Sequence, residues 1–379
     1  MNVPLPAGDF DQCAAPQMPR NILLVASLFS LPYRVLRTAA ACGVNVHVLG
    51  GPRASGLRFS RHCASFNAAG SDPASADIEE LAEDINAVIA KREIDVVLAG
   101  DQPTTRQLIL LKRALDCPAF PGPTLQQFDL LNNKWDFTKL CQRLAILVPD
   151  SELLAGKSAL KQSLLSGEIG FPVVARPLDL NGQNGAVLLF SSADLGKVES
   201  ISYAPVLVQR YIDGQDVGAS IYCEDGEIKG LIAHTKAHSI YRTFRHPQIE
   251  HDLEEITAAM RISGVYDFDM RIAPTGDVYW VGCNPRFFGE ILLSMLAGLN
   301  FLALGLADTS LGAVQYAPDG SAVRMLRATA ATLAMPWRLS KRDFAYAGEM
   351  LGDPLPFICE ALRIEDRSVG RMGSVGGSR

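Results

Sequence analysis

Short apolar runs alternate with amphipathic stretches in the first third of the chain. NILLVA, VNVHVLGG and DVVLAGD have the composition of buried strands, while LPYRVLRTAAACG and IEELAEDINAVIAKREI carry apolar residues at helical spacing. Strands that alternate with helices predict a parallel sheet with right-handed crossovers. Ligands of such a sheet bind at the carboxyl ends of its strands, here near Ser27, Gly50, Gly51 and Asp101. Because no GxGxxG follows the first strand, a dinucleotide site is not expected.

The pattern changes after the linker-like segment CPAFPGPT. QFDLLNNKWDFTKLCQRLAI predicts a helix with Lys134 and Lys139 on its polar side, and SALKQSLLSGEIG predicts another. Strand-like runs then follow in quick succession: FPVVARP, AVLLFSS, PVLVQRYI, GASIYCEDGEIKGLIAHT, DFDMRI and DVYWVGC. We therefore expect a flexible arm over 1–20, an N-terminal α/β domain over 21–120, an α+β domain over 121–320, and a C-terminal extension with a disordered tail over 321–379.

Composition narrows the class of protein. The net charge of −6 over 379 residues gives no global attraction to nucleic acid or to an anionic membrane. Eight scattered cysteines without a CxxC pair argue against structural zinc and a disulfide framework. The absence of a signal-like or membrane-spanning apolar stretch makes a cytoplasmic location the expectation. The apolar run FFGEILLSMLAGLNFLALGLA is either a core helix or a homodimer face.

Candidate chemistry concentrates in GVYDFDMRIAPTGDVYWVGCNPRFFGE. Two predicted strands are joined by a PTG turn, and Asp267 and Asp269 point to one face of the first. Asn284 and Arg286 leave the end of the second strand on the same side. Carboxylate and amide oxygens beside a guanidinium suit a magnesium phosphate and a neighbouring anion. The alternative is that Asp267 and Asp269 only solvate an exposed hairpin.

The run NPRFFGEILLSMLAGLNF resembles the asparagine–proline–arginine segment that closes the active site in the ATP-grasp superfamily. Three further features, in the order that the family shows, extend this resemblance over roughly residues 20–310. The resemblance implies an α/β fold class, with an N-terminal parallel-sheet (pre-ATP-grasp) domain followed by an α+β ATP-grasp domain.

The resemblance also implies a nucleotide site. Lys134 in NNKWDF matches the family lysine that reaches the ATP phosphates. GFPVVARPLDLNGQNG resembles the glycine-bearing loop over the triphosphate, with Gly182 and Gln183 at its tip and Arg176 where the family has lysine. Glycine suits such a loop because the backbone must approach phosphate oxygens closely.

VLVQRYIDGQDV resembles the strand that binds the adenine edge through main-chain groups. Its candidate residues are Gln209, Arg210, Tyr211 and Ile212 for the base, with Asp216 for the ribose hydroxyls. Arg210 stands where the family has glutamate. Because main-chain groups recognise the base in this family, that exchange need not abolish binding.

The metal ligands carried over are Asp269 and Asn284, but Gly282 replaces the family glutamate. Asp267 or Glu290 is then the candidate substitute. The implied cofactors are ATP and Mg²⁺, with Mn²⁺ as an alternative ion. Two Mg²⁺ ions normally offset the charge that develops as the γ-phosphoryl group moves.

Arg286 matches the family arginine that stabilises the anionic intermediate and is the candidate catalytic residue. The segment HTKAHSIYRTFRH corresponds to a family loop beside the phosphates, so its histidines are expected to be polar loop residues, and one of its arginines is a candidate for binding a carboxylate.

The resemblance predicts an ATP-dependent carboxylate–amine ligase. It would act through an acyl phosphate on small-molecule carboxylate and amine substrates, amino acids or a peptide. Because of Arg176, Arg210 and Gly282, the alternative is a degenerate ATP-grasp domain that binds nucleotide or a partner without catalysis.

Overall fold

The computed structural model describes residues 18–179, 185–307, 313–333 and 335–361. Within these ranges the chain forms one parallel and two largely antiparallel sheets. None of the helices in the described ranges has the length and apolarity needed to cross a bilayer.

The first sheet is parallel and follows the predicted alternation of strands and helices. Its strand order is β3-β2-β1-β4. The elements are β1 (Asn21–Ala26), α1 (Ser30–Ala40), β2 (Asn45–Gly50), β3 (Cys63–Ala68), α2 (Ile78–Arg92), β4 (Val96–Ala99) and α3 (Gln102–Leu111). A 3₁₀ segment over Pro52–Phe59 connects β2 to β3. Strand β3 was not predicted, because an edge strand that is only half-buried carries a mixed polar and apolar sequence.

A small antiparallel sheet follows, with strand order β5-β8-β6-β7. Two helices precede it, and a third helix and a 3₁₀ segment over Ser192–Ser200 pack beside it. The elements are α4 (Leu125–Asn132), α5 (Lys134–Arg143), β5 (Ser151–Leu154), α6 (Lys157–Ser166), β6 (Val173–Arg176), β7 (Val187–Leu189) and β8 (Val206–Arg210).

The single helix predicted around Lys134 is wrong, since α4 and α5 are separate. Asn133 interrupts them and caps α5, its side-chain oxygen accepting from the N–H groups of Trp135 and Asp136. Lys134 is therefore the first residue of α5 and is buried, not on a polar helix side. Lys139 does keep a solvent-facing position, with its Nζ 3.2 Å from Oε1 of Gln142.

The largest sheet has the order β13-β12-β9-β10-β11-β15, with β14 paired in parallel to β10. Its strands are β9 (Gln215–Glu224), β10 (Glu227–Ala237), β11 (Ile240–Phe244), β12 (Gly264–Ile272), β13 (Val278–Asn284), β14 (Gln315–Tyr316) and β15 (Ala322–Arg324). The helices between them are α7 (Pro247–Met260), α8 (Ile291–Ala297) and α9 (Phe301–Leu306).

The expectation of a polar loop at HTKAHSIYRTFRH is wrong. The segment is a hairpin of β10 and β11, turned by His238 and Ser239 with positive φ angles of 51° and 60°. His234 lies within β10 and is buried. Apolar positions alternate with polar ones too irregularly here for the strand pattern to be visible in the sequence.

Helices α8 and α9 form the centre of the largest apolar core. Ile291, Phe301 and Leu302 are fully buried in a cluster that also contains Leu24 and Tyr222, so this core joins the parallel sheet to the largest sheet. The apolar run that contains both helices is therefore a core element, which is the first of the two alternatives that its composition allowed.

Two further helices, α10 (Leu326–Thr332) and α11 (Lys341–Leu351), are separated by a 3₁₀ turn over Pro336–Arg338. The segment after α11 is tied back to the parallel-sheet region by the buried Asp353. Its carboxylate accepts from the hydroxyls of Tyr33, at 3.0 Å, and Ser60, at 2.5 Å. The fold thus matches the predicted class of a parallel sheet followed by an α+β region.

Gly264→Ala is expected to destabilise the fold by at least about 2 kcal/mol. Gly264 opens β12 with φ +112°, and a Cβ there would lie 2.5 Å from the carbonyl oxygen of Pro121. Urea unfolding measures the change. Gly196→Ala is the matched control, because no atom lies within 4 Å of its Cβ position and its φ is not in the left-handed region. Equal stability of both variants would contradict the expected clash with Pro121.

Candidate active site

A cleft of about 630 Å³ lies between the small sheet and the largest sheet. One wall comes from β6, β7 and β8, and the other from β9, β10 and β12. The predicted nucleotide and metal residues that line it are Arg176, Gln209, Arg210, Tyr211, Ile212, Asp216, Asp267 and Asp269. The structure thus brings together predicted side chains from three separate stretches of the sequence. Gly182 and Gln183 lie outside the described residues.

The segment that leaves β8 presents one unpaired amide to the cleft. The N–H of Arg210 donates to the Asp150 carbonyl at 2.8 Å, and that of Tyr211 donates to the Pro172 carbonyl at 2.9 Å. The N–H of the buried Ile212 has no hydrogen-bond partner in the ranges that the structure describes. An unpaired amide on an apolar wall can donate to the edge of a planar heterocycle.

The side chains of Gln209 and Arg210 are used at the edge of the small sheet. Gln209 is buried, and its Nε2 donates to Oγ of Ser151 at 3.1 Å. Arg210 is half-exposed, with its Nε 3.1 Å from Oδ2 of Asp150. Both side chains are therefore engaged by residues at the edge of the small sheet.

Arg176 supplies positive charge at the end of β6. Burial lowers the pKa of its guanidinium, while the charges of Asp269 and Asp216 act in the opposite direction. Its Nε is buried without a hydrogen-bond partner among the described residues. A partly buried guanidinium whose Nε has no partner among the described residues suits an anion with several oxygens, such as a phosphate.

Asp216 lies at the open end of the cleft. Its Oδ1 is 3.0 Å from the guanidinium of Arg271, and its side chain is 67% exposed. Arg271 is itself held by the Gly214 carbonyl at 2.7 Å and lies 5.0 Å from the centroid of the Tyr211 ring. The other carboxylate oxygen of Asp216 faces solvent, where it can accept hydrogen bonds from a ligand hydroxyl.

The β12–β13 ladder sets the geometry of the acidic pair. Asp267 lies opposite Asn284, and Asp269 lies opposite Gly282. Opposed residues of an antiparallel ladder point to the same face. Nδ2 of Asn284 is 3.4 Å from Oδ2 of Asp267 and also 3.4 Å from Oδ2 of Asp269. Two carboxylate oxygens therefore converge on one amide group.

Asp267 does not solvate an exposed hairpin, because it is buried and its Oδ1 accepts from Oγ of Ser220 at 2.8 Å. Asp269 faces the open space of the cleft. Burial, and then the charge of Asp269, raise the pKa of Asp267 well above its usual range. Burial also raises the pKa of Asp269, although Arg176 opposes it. Carboxylates that repel each other in this way favour a divalent cation between them.

Glu290 is a third carboxylate whose charge acts on the acidic pair, adding to burial in raising the pKa of both Asp267 and Asp269. No group of three or more His, Cys, Asp or Glu side chains able to hold a metal ion occurs within residues 18–179, 185–307, 313–333 and 335–361. Glu290 does line the cleft, but it forms an ion pair with Lys236. Burial acts to raise the pKa of Glu290, yet the Lys236 and His234 side chains outweigh it and lower the pKa overall. Glu290 is therefore engaged by a cation of the protein.

His234 is a cleft residue that sequence reasoning missed. Its ring stacks on Tyr241 with centroids 4.6 Å apart and packs against Gly218, where a Cβ would lie 2.6 Å from the ring. Burial lowers the pKa of His234 to about 4, so the ring is neutral near pH 7. Its Nδ1 has no partner within the described ranges. A strand prediction for GLIAHTKA, which puts His234 and Lys236 on one face, would have identified it.

Arg286 lies behind the acidic pair. Its guanidinium donates to the Phe287 carbonyl at 2.6 Å and to Oδ1 of Asn284 at 3.3 Å, which orients the Asn284 amide. Burial lowers the pKa of Arg286, whereas Asp267 and Asp269 act to raise it. The side chain also lines a separate cavity of about 60 Å³ with mostly apolar walls.

Lys134 approaches the same ladder from α5. Its backbone N–H donates to the Leu178 carbonyl at 2.9 Å, which fixes the start of the helix against the segment after β6. A Cβ built on Gly282 would lie 3.9 Å from Cγ of Lys134, so the lysine stem passes over that glycine. Burial, followed by the charge of Arg176, lowers the pKa of Lys134 to about 8, against the raising effect of Asp269 and Asp179.

Residues 202–330 match the family model described as ATP-grasp in the biosynthetic pathway with Ter operon. A curated relative is the carbamoyl phosphate synthase large chain of Vibrio cholerae, 25% identical over 233 residues. The match covers 54% of this chain and 21% of that relative, so the chain spans about a fifth of the relative's length.

Two solved structures illustrate the fold similarity. Biotin carboxylase from Campylobacter jejuni, solved as a β,γ-ATP complex, aligns with a TM-score of 0.58 and 17% identity over 76% of this chain and 70% of its own. L-amino acid ligase from Bacillus licheniformis aligns with a TM-score of 0.57 and 15% identity over 79% of this chain and 76% of its own. At these identities the alignments establish the fold.

We expect nucleotide affinity to depend on pH through Lys134. With a pKa of about 8, this side chain is charged below pH 8 and loses its proton above it, whereas a bound polyphosphate favours the charged form. Affinity should therefore be constant below about pH 7 and fall by up to about tenfold per pH unit above pH 8, with uptake of about one proton per nucleotide.

Calorimetry in buffers of different ionisation enthalpy measures this uptake. In Lys134→Met the proton uptake should disappear, while in Lys139→Met, the solvent-facing lysine of the same helix, it should persist. Persistence of the uptake in Lys134→Met would assign the titration to another group.

Proposed function

Since this chain is an ATP-grasp protein, we propose that it is an ATP-dependent carboxylate–amine ligase. The observation that carries this proposal is the composition of one cleft. It combines, within the described residues, an amide at Ile212 without a hydrogen-bond partner, a partly buried guanidinium at Arg176 with an unpartnered Nε, and the convergent carboxylates of Asp267 and Asp269. Each feature matches one part of a magnesium nucleotide: the base edge, the phosphate oxygens and the cation.

ATP and Mg²⁺ fit the residues present. Burial raises the pKa of Asp267 and Asp269, and the charge of Asp269 raises that of Asp267 further, so a divalent cation beside them would favour their charged forms. Carboxylate and amide oxygens are ligands that Mg²⁺ and Mn²⁺ accept. Asp267, Asp269 and Asn284 would hold the ion. Arg176 and Lys134 would neutralise the phosphate chain. When bound, ATP supplies the phosphoryl group that activates a carboxylate as an acyl phosphate.

The contribution of the protein is positioning and charge stabilisation, as phosphoryl transfer requires. Asn284 orients both carboxylates, and Arg286 in turn orients Asn284 through the bond to Oδ1. Arg286 lies behind the acidic pair, and its Nε has no hydrogen-bond partner among the described residues, so its guanidinium would be available to stabilise negative charge on the transferred group. An amine that attacks the activated acyl carbon then displaces phosphate and forms an amide bond.

The comparisons support a small-molecule reaction. The matched family is described as belonging to a biosynthetic pathway, and one structural neighbour is an L-amino acid ligase. We therefore propose amino acids or related small carboxylates and amines as the substrates. A homodimer stays a prediction, since α8 and α9 are occupied by the internal core.

The second candidate function is nucleotide binding without ligation. Gly282 favours it, because the hairpin lacks the glutamate that the family places opposite Asp269. The paired state of Glu290 also favours it, since that carboxylate does not replace the missing one.

A hydroxylamine trap distinguishes the two functions. The protein is incubated with ATP, Mg²⁺ and ¹⁸O-labelled carboxylic acids, first L-amino acids as a pool and then individually. A ligase should release ADP and form a hydroxamate, with one ¹⁸O from the carboxylate recovered in phosphate. Nucleotide binding by calorimetry without ADP release for any carboxylate and amine pair would support the non-catalytic alternative.

Arg176→Met should weaken ATP binding by about ten- to a hundredfold, because it removes a charge-assisted contact of about 1.5–3 kcal/mol. Arg210→Met is the matched control: Arg210 lies on the neighbouring strand but pairs with Asp150, so its loss should change affinity by less than about threefold. Calorimetric titration with a non-hydrolysable ATP analogue measures both. Equal losses would place the phosphates elsewhere.

A further inference from the structure

The β12–β13 ladder departs from the family at one position, and the structure shows what lies there. Asp269 faces Gly282, which provides no side chain, and the stem of Lys134 passes over that glycine. We propose that this active site holds a single divalent ion, bound by Asp267, Asp269 and Asn284, and that the Lys134 ammonium takes the place of the second ion. This inference rests on the proposed nucleotide site.

The ligands of the single ion follow from the hydrogen bonds. Oδ1 of Asp267 is held by Ser220, which leaves Oδ2 directed to Asn284. Oδ2 of Asp269 lies at the same 3.4 Å distance from that amide. Rotation of the Asn284 amide by half a turn would present its oxygen to the same point and would break its present bond to the Arg286 guanidinium. Phosphate oxygens and water would complete a six-coordinate oxygen shell, as Mg²⁺ and Mn²⁺ require.

Glu290 is excluded as the ligand of a second ion. Its carboxylate is held in an ion pair by Lys236, and the Gly289 carbonyl before it accepts from Arg34 at 2.7 Å. Moving Glu290 to a metal would leave Lys236 without its counter-ion in the cleft. The metal ion and the Lys236 ammonium would then compete for one carboxylate, and their mutual repulsion disfavours this exchange.

The surroundings of Gly282 disfavour a second dication. An ion placed there would have the Asp269 carboxylate opposite it in the ladder and the Lys134 stem beside it. The positive charge of Lys134 is already close to Gly282. This side chain is buried, with Asp269 and Asp179 as its acidic neighbours. An ammonium and a divalent ion sharing one carboxylate repel each other, whereas an ammonium alone is balanced by it.

The experiment counts the metal ions per nucleotide. Mn²⁺ is titrated into the protein saturated with a non-hydrolysable ATP analogue, and electron paramagnetic resonance measures free Mn²⁺ and any Mn²⁺–Mn²⁺ coupling. The expected result is one ion per nucleotide without coupling. Gly282→Glu should bind two coupled ions, because φ at this position is not in the left-handed region and the Cβ position is open.

Further variants assign the ligands and the role of Lys134. Asp267→Asn should lower Mn²⁺ affinity about tenfold or more, and Gly282→Glu in that background should restore it. Asp277→Asn is the matched control, since this exposed carboxylate lies in the turn of the same hairpin and bonds to Thr275. Lys134→Met with Gly282→Glu should bind the second ion more tightly than Gly282→Glu alone, because the competing ammonium is absent.

Two coupled ions per nucleotide in the natural protein would overturn this inference while leaving the proposed function intact. Unchanged Mn²⁺ affinity in Asp267→Asn would overturn the ligand assignment in the same way. Nucleotide binding is measured separately, by calorimetric titration with the analogue and Mg²⁺. Absence of binding there would overturn the proposed function and this inference together.

Discussion

The pairing register of β12 with β13 is the constraint on which the site depends. It sets Asp267 against Asn284 and Asp269 against Gly282, and the period of two along each strand puts these four positions on the cleft side. A shift of one residue would turn both carboxylates into the core on the other face. The face opposite the cleft carries buried apolar side chains such as Phe268. These side chains stay buried only in this alignment, and their burial therefore stabilises the register.

The remaining elements bring cations to this ladder from outside the sheet. Arg176 comes from the end of β6, Lys134 from the first turn of α5, and Arg286 from the segment after β13. Each is buried or largely surrounded by protein, so burial lowers its pKa, and each is compensated by carboxylates of the ladder. Acidic and basic groups therefore depend on one another across elements that are distant in sequence. This mutual dependence makes the cleft suitable for a ligand that carries both a polyanion and a cation.

The fold class and the main elements could be predicted because their patterns are local. NILLVA and IEELAEDINAVIAKREI have the periodicity of a buried strand and an amphipathic helix, and the structure contains both. Strand β3 and strand β11 could not, since half-buried strands do not alternate cleanly, whereas most of β10 falls within the predicted strand-like run GASIYCEDGEIKGLIAHT. The break between α4 and α5 depends on a cap at Asn133, which a run of helix-forming residues conceals.

The residues of the candidate site could be predicted from the sequence, but the contacts between them could not. Asp267 and Asp269 could be placed on one face from spacing alone. The pairing of Glu290 with Lys236 depends on a loop meeting a neighbouring strand, and the burial of Lys134 depends on the position of α5. Long-range contacts of this kind leave no periodic signal. His234 was misjudged for the same reason, because its burial is created by the facing strand β9 and by the Tyr241 ring.

Gly282 changes where a cation can sit along the cleft. A carboxylate at position 282 would lie opposite Asp269. Asp267 instead lies opposite Asn284, two residues further along each strand. Two residues along a strand span about 7 Å, so the negative charge is displaced by roughly that distance. The displacement is directed away from Arg271 and Asp216 and toward Asn284 and Arg286. Under the proposed function, charge that moves in this direction leaves the part of the cleft assigned to ribose and approaches the part assigned to the reacting phosphate, which supports our proposal that ligation persists without the family glutamate.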